Sequence, residues 1–255
     1  MILTDTHTHQ YYEKDPEVLK EKMQRCFDNG VSRLFLPNVD SESIGLIDNL
    51  VALYPENCFA MLGLHPCDVK ANFKVELDAI YKAIPGRKIY AIGEIGIDLY
   101  WDKTTLEIQQ EAFREQIGWA KELNLPIVIH CREAFDEVFE VLVAEADEKL
   151  RGIFHCFSGT VEQAEKVLAL GFYLGIGGVV TYKKSGLDKV VEQIPLNRIV
   201  LETDSPYLTP VPYRGKPNES SYLTYIAGKV AEIKQISIEK VAEITTDNSK
   251  LIFNV

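Results

Sequence analysis

The 255-residue sequence predicts a closed (β/α)8 barrel of the TIM type. Three observations carry that prediction. Eight short apolar runs rich in β-branched residues recur along the chain, helix-period stretches separate them, and about 250 residues is the size at which eight such units close into a cylinder. An open doubly wound sheet is the main rival for the same alternation.

In chain order the runs are "MILTDTH", "SRLFLPNV", "CFAMLGLH", "KIYAIGEIGI", "LPIVIHC", "RGIFHCF", "GFYLGIGG" and "RIVLETD". Between the first two, "DPEVLKEKMQRCFDNG" (15–30) sets Asp15 before Pro16 as a helix start and Gly30 as its stop. The stretch "TLEIQQEAFREQIGWAKELNL" (105–125) has the same helical spacing of apolar residues. Strands alternating with helices imply right-handed crossovers and a parallel sheet. No internal repeat, low-complexity tract or linker divides the chain, and the turn-rich loop "TPVPYRGKPNESS" (209–221) is too short to separate domains. Residues 1–255 are therefore expected to form one domain.

A 46% apolar content supplies a sizeable core, and the formal charge of −11 argues against a broad basic surface for long duplex nucleic acid. Local capture of phosphate at a metal remains compatible with that charge. The five cysteines (Cys26, Cys58, Cys67, Cys131, Cys156) form no CxxC pair and suggest neither a disulfide framework nor a Cys-rich zinc site. Signal-peptide regions and membrane-length apolar runs are lacking, so a cytoplasmic location is expected, with no membrane partner and no obligate protein partner.

The ionisable residues of the eight runs are placed unevenly. His7 and His9 close the first run, His65 the third, Glu94 the fourth, His130 the fifth, His155 the sixth and Asp204 the eighth. Every histidine thus sits at the carboxyl end of a predicted strand, and in a barrel those ends converge on the face that carries active sites. Side chains two residues apart on a strand share a face, which adds Asp5 to His7 and His9, Gly96 and Asp98 to Glu94, and Glu202 to Asp204. The same alternation turns Cys131 and Cys156 away, towards the helix layer.

Imidazoles and carboxylates without thiolate suit divalent first-row ions, and four histidines with two carboxylates exceed one ion's usual share. Two ions are expected, with His7, His9 and Asp204 on one, His130 and His155 on the other, and Glu94 between them. Metal-assisted hydrolysis of an ester is the indicated reaction, with Asp204 also able to accept the water's proton and Asp5, Asp98 or Glu202 orienting ligands. The chain has no G-x-S-x-G elbow, no phosphate-binding Gly-rich loop followed by Lys-Ser/Thr and no G-x-G-x-x-G.

The ordered motifs "DTHTH", "GLHPCD", "GEIGIDLYW", "IVIHCREA", "FHCFSG", "LETDSPYLTP" and "RGKPNE" resemble the TatD family of metal-dependent deoxyribonucleases, within the amidohydrolase-like metallohydrolases. The resemblance implies a TIM-like barrel, a binuclear divalent-metal centre (Mg, Mn or Zn) and phosphodiester hydrolysis, typically exonucleolytic on DNA. By matching motif it makes His7, His9, Glu94, His130, His155 and Asp204 the metal ligands, with Glu94 and Asp204 at the catalytic step. It also makes His65 and Arg132, and more weakly Arg214 and Asn218, contacts to substrate phosphate. Gln10, Cys131 and Ser220 depart from the common wording without removing a ligand.

The expected substrate is a DNA end or short single strand, with Tyr100, Trp101, Tyr207 or Tyr213 available to stack on bases; helix-layer packing is the alternative reading for Tyr100 and Trp101. An amidase, lactonase or deacylase of the amidohydrolase type is the alternative function. Glu94, standing where many such enzymes carry a carboxylated lysine, favours the nuclease. A metal-binding protein without turnover is the third reading.

Overall fold

The computed structural model describes residues 1–255. Its eight parallel strands are β1 (Leu3–Asp5), β2 (Val31–Pro37), β3 (Cys58–Leu62), β4 (Ile89–Asp98), β5 (Ile127–Arg132), β6 (Gly152–Phe154), β7 (Tyr173–Ile176) and β8 (Ile199–Leu201). They follow one another in the sheet in chain order, as a (β/α)8 barrel requires. The seam between β8 and β1 is drawn together by Thr6, whose N–H and hydroxyl both donate to the Leu201 carbonyl at 3.0 and 3.1 Å. Asp204 N–H then donates to His7 O at 2.9 Å and His9 N–H to Ser205 O at 2.8 Å, carrying the seam past the strands.

Alternation sorts each strand into two faces. Leu34, Leu36, Ile95, Ile97, Ile127 and Ile129 belong to the larger core between sheet and helices. Phe35, Met61, Ala91, Val128, Ile153 and Val200, the intervening residues of six strands, fill the barrel interior. Ile252 and Phe253 join this inner cluster, and the Phe253 ring stacks on Phe35 with centroids 3.8 Å apart. The end of the Ile238–Phe253 helix therefore plugs the interior at the face opposite the strands' carboxyl ends, a closure that no local pattern announces.

The Pro16–Asp28 helix starts as its sequence suggests: the Asp15 carboxylate accepts from the N–H groups of Glu17 and Val18, and Pro16 stands at the first helical position. No helix is long and apolar enough to cross a membrane.

Several strands are shorter than their apolar runs. β1, β6 and β8 stop at Asp5, Phe154 and Leu201, before His7, His155 and Asp204. Side-chain carboxylates take over ladder donors there: Asp5 accepts from the N–H groups of His7 and Thr203, and Glu202 from that of Cys156. Freed from the ladder, Cys156 and Asp204 turn into left-handed backbone at φ 48° and 55°.

Phe253→Ala should lower the unfolding free energy by about 3–5 kcal/mol, because it opens a cavity inside the barrel. Urea titration should show the loss as a lower midpoint with little change in slope; a shift below about 1 kcal/mol would mean that the plug contributes little.

Candidate functional site

Glu94 sits at an irregularity of β4, where the pairing with β5 shifts register between Gly93 and Ile95. Such a bulge re-aims a side chain, and Glu94 is directed into the barrel mouth, 2% exposed. Its two oxygens face different histidines. Oε2 lies 3.1 Å from His7 Nε2 and 3.7 Å from His9 Nε2, while Oε1 lies 2.8 Å from His130 Nδ1 and 3.5 Å from both His155 Nε2 and His65 Nε2. Asp204 Oδ1 completes the group at 3.6 to 3.8 Å from His9, His155 and His7. All six residues that the strand ends nominate converge, together with His65.

Polar partners on the far side of three rings decide which nitrogen faces Glu94. Tyr11 donates its hydroxyl proton to Pro37 O at 2.6 Å, so its oxygen must accept from His9 Nδ1 at 2.8 Å, leaving His9 Nε2 bare. His130 is held between two carboxylates, Asp98 Oδ2 at 2.8 Å from Nε2 and Glu94 Oε1 at 2.8 Å from Nδ1, which together hold its pKa above the ordinary value against the cost of burial. Glu202 Oε1 lies 3.0 Å from His155 Nδ1, as an ion pair rather than an aligned hydrogen bond, which turns the ring so that Nε2 faces Glu94. His65 is set the other way. Its Nδ1 accepts from the Cys67 N–H at 3.1 Å, so the neutral ring carries its proton on Nε2 and offers a donor to the cavity.

Electrostatics make the group hungry for positive charge. Glu94, Asp98, Glu202 and Asp204 pair only with imidazoles, never with lysine or arginine. Burial drives His7 well below the ordinary histidine range and His9 down to about 4, so both rings are neutral. Burial also opposes charge on His155, but the carboxylates of Glu202, Glu94 and Asp204 outweigh it and push its pKa up to about 10. Glu94 is held well below the carboxylate range: His7, His65 and His155 overcome the cost of burying it. Asp204 is raised to about 7, by burial first and then by Glu94 and Glu202 against the lowering effect of His155.

These residues pass a fit test for a metal. His7 Nε2 and His9 Nε2 are 3.3 Å apart, the spacing of two nitrogens each bound at about 2.05 Å to one tetrahedral ion. His7, His9 and Glu94 form one group whose ligand atoms all lie within 4.8 Å of one another; His7, His155 and Asp204 form a second, and His65, Glu94 and His130 a third.

The remaining expected residues scatter. Arg132 lines the cavity of about 640 Å³ above Glu94. Asp98 and Glu202 lie behind His130 and His155, at 2.8 and 3.0 Å. Asp5 does not orient a ring: its carboxylate is spent on the Thr203 N–H and hydroxyl and the His7 N–H, tying β1 to the segment after β8. Asn218 is 1% exposed, donating to Thr203 O and Tyr207 O and accepting from Glu219 N–H, so its amide is engaged in stapling its own loop. Arg214 is exposed, stacks on Tyr182 at 4.4 Å and lines no part of this cavity.

Cys131 and Cys156 both border the cavity, contrary to strict alternation, because Cys156 lies on left-handed backbone beyond the end of its strand and Cys131 stands near the end of β5. Burial keeps both thiols protonated, Cys131 at about 12 and Cys156 well above the usual thiol value, so neither is a ready nucleophile. Tyr100 and Trp101 are not in the helix layer: they are 48% and 70% exposed at the rim. Tyr213 packs instead with Tyr222 and Tyr225.

Sequence reasoning missed Tyr11, Gln109 and Gln116. Gln109 accepts from Asp98 N–H and donates to Asp98 O, and Gln116 does the same for Leu64, which fixes the backbone at Asp98 and beside His65. The available signal was a pair of glutamines seven residues apart on the buried face of the Leu106–Leu123 helix.

A barrel with a histidine and carboxylate cluster at the carboxyl ends of its strands, able to bind metal, defines a metallohydrolase-like class of site. Residues 4–254 match the model of the TatD related DNase family, and the chain belongs to that family. It is 40% identical, over the whole of both chains, to YabD of Bacillus subtilis strain 168, described as an uncharacterized metal-dependent hydrolase. It is 29% identical to the 3'-5' ssDNA/RNA exonuclease TatD of Pectobacterium atrosepticum, across 97% of this chain and 96% of that one. The crystal structure of YjjV, a TatD homologue from Escherichia coli K12, superposes with a TM-score of 0.93 at 30% identity, covering 99% of this chain and 98% of the other.

Asn218→Ala should cost about 1–3 kcal/mol of stability, since two buried carbonyls and one N–H lose partners. Denaturant titration measures this; unchanged stability would refute the stapling role.

Proposed function

We propose that the chain is a metal-dependent phosphodiesterase acting on DNA ends or short single strands, with two divalent ions held at the barrel mouth. The observation that carries this reading is the division of labour within Glu94: Oε2 towards His7 and His9, Oε1 towards His130 and His155. One ion would take His7, His9 and Asp204, the other His130 and His155, and Glu94 would bridge them. Ions in those positions would supply Lewis acidity towards water and towards the ester's phosphoryl oxygens, and Mg, Mn and Zn are the candidates.

The chain's own groups do the rest. Tyr11, Asp98 and Glu202 orient the rings of His9, His130 and His155 so that their other nitrogens face Glu94, where a bound cation would take the place of a proton on His130 and His155. Asp204, beside three imidazoles, accepts the proton of the attacking water. His65 Nε2–H and the Arg132 guanidinium offer donors to the phosphate from the same cavity wall. The names of the similar proteins, metal-dependent hydrolase and ssDNA/RNA exonuclease, support the same class. No lysine lines the cavity, so the carboxylated-lysine bridge of many amidohydrolases has no candidate here.

An end-labelled single-stranded oligonucleotide incubated with the protein and Mg, Mn or Zn should be shortened from its end, and chelator should stop the reaction. Asp204→Asn should cut kcat by at least about a hundredfold with the fold intact by circular dichroism. Cleavage that survives both treatments would overturn the reading. Tyr11→Phe removes the acceptor for His9 Nδ1–H and should weaken metal binding about 10–100-fold, read by metal content after dialysis against graded free metal.

A further inference from the structure

Tyr100 and Trp101 are large aromatic side chains left open beside the one cavity that holds the histidine cluster, and they are fixed with unusual care. Asp98 Oδ1 accepts from the N–H groups of both, at 2.9 and 3.2 Å, while the other oxygen of the same carboxylate holds His130 Nε2 at 2.8 Å. Leu99 N–H donates to Arg132 O at 3.0 Å, in register with the Asp98–Arg132 pairing of β4 and β5. The Arg132 guanidinium lies 3.8 Å from the Tyr100 ring centroid and 5.6 Å from that of Trp101. Tyr100 meets Trp101 edge to face at 4.8 Å. One carboxylate therefore anchors the backbone of both aromatics and the His130 ring, and the Arg132 guanidinium lies against the aromatic pair.

We propose that Trp101, braced by Tyr100, is a base-stacking platform that selects substrates bearing a nucleobase next to the phosphodiester held by Arg132. The inference rests on the phosphodiesterase reading and adds the specificity element. Nothing in the core asks Trp101 to be aromatic, since it is 70% exposed. A rigid indole face beside a guanidinium matches the alternation of base and phosphate along a single strand, and a flat base loses little by stacking without sequence preference. On a chain of net charge −11, stacking supplies affinity that the surface electrostatics do not. Paired bases within a duplex would not present a free face, so the platform favours single-stranded ends.

The chain has two tryptophans, and Trp119 is 7% exposed, so quenching of emission by a ligand reports chiefly on Trp101. The probes are a thymidine trinucleotide with phosphorothioate linkages, to slow cleavage, and the same backbone with every base removed, each titrated into the full chain with Mn. The base-bearing trimer should quench and bind about tenfold or more tightly than the abasic one. Trp101→Ala, its affinities read by titration calorimetry because the reporting indole is gone, should bring the two affinities together, and Trp101→Phe should restore part of the difference. In turnover of ordinary phosphate trimers, the ratio of kcat/KM for base-bearing over abasic substrate should fall towards one in Trp101→Ala. Equal binding of both trimers by the unaltered chain, or discrimination that persists in Trp101→Ala, would overturn the platform. Failure to hydrolyse either phosphate trimer would instead overturn the phosphodiesterase reading, and the binding titrations, which need no turnover, still decide on the platform.

Discussion

A buried carboxylate surrounded by imidazoles is the constraint on which the rest of this molecule turns. Glu94 is 2% exposed and has no lysine or arginine to neutralise it. An ion removed from water in this way costs several kcal/mol unless its surroundings compensate. Four strand ends besides its own deliver histidines around it, each ring turned by a partner or by its position so that a nitrogen faces the carboxylate. The cluster thereby concentrates negative charge and nitrogen lone pairs at one spot, an arrangement that selects for cations and tolerates little movement.

Rigidity of the surrounding frame follows from that demand. Each orienting group is itself tied down: Tyr11 to Pro37 O, Asp98 through its backbone to Gln109, Glu202 to the Cys156 N–H. Glu202 occupies space that exists because residue 175 is glycine, since a Cβ there would collide with its carboxyl group. The Phe253 plug fills the opposite end of the barrel, so the interior is packed below the site and open only above it. The mouth is acidic apart from Arg132 and the imidazoles, which suits a cation-dependent approach of an anionic substrate and leaves aromatic rims to add affinity.

The boundary between local and distant information runs through particular residues. Asp15 before Pro16 announced its helix cap, because that cap spans three residues. Alternation along β2 and β5 separates the side chains that fill the barrel from those that face the helices, because strand periodicity is a property of consecutive residues. Asn218 looked like a loop residue free to meet phosphate, yet its amide reaches Thr203 and Tyr207, fifteen and eleven positions away. Asp5 shared a predicted face with the histidines, but its acceptors were claimed by Thr203 across the seam, 198 positions distant. Cys156 broke the alternation because a carboxylate from another strand took its N–H and the backbone turned.

What the chain's order of residues determined unaided was the cylinder of eight strands and the face on which its histidines, Glu94 and Asp204 gather. Both depend on short-range periodicity and on the chirality of strand–helix–strand connections. Which imidazole nitrogen stays bare, which loop polar groups are consumed by the loop itself, and which aromatics stand open at the rim were decided only when the barrel closed. Those outcomes depend on hydrogen-bond partners brought from remote parts of the chain, and a one-dimensional string does not record which donor reaches an acceptor first.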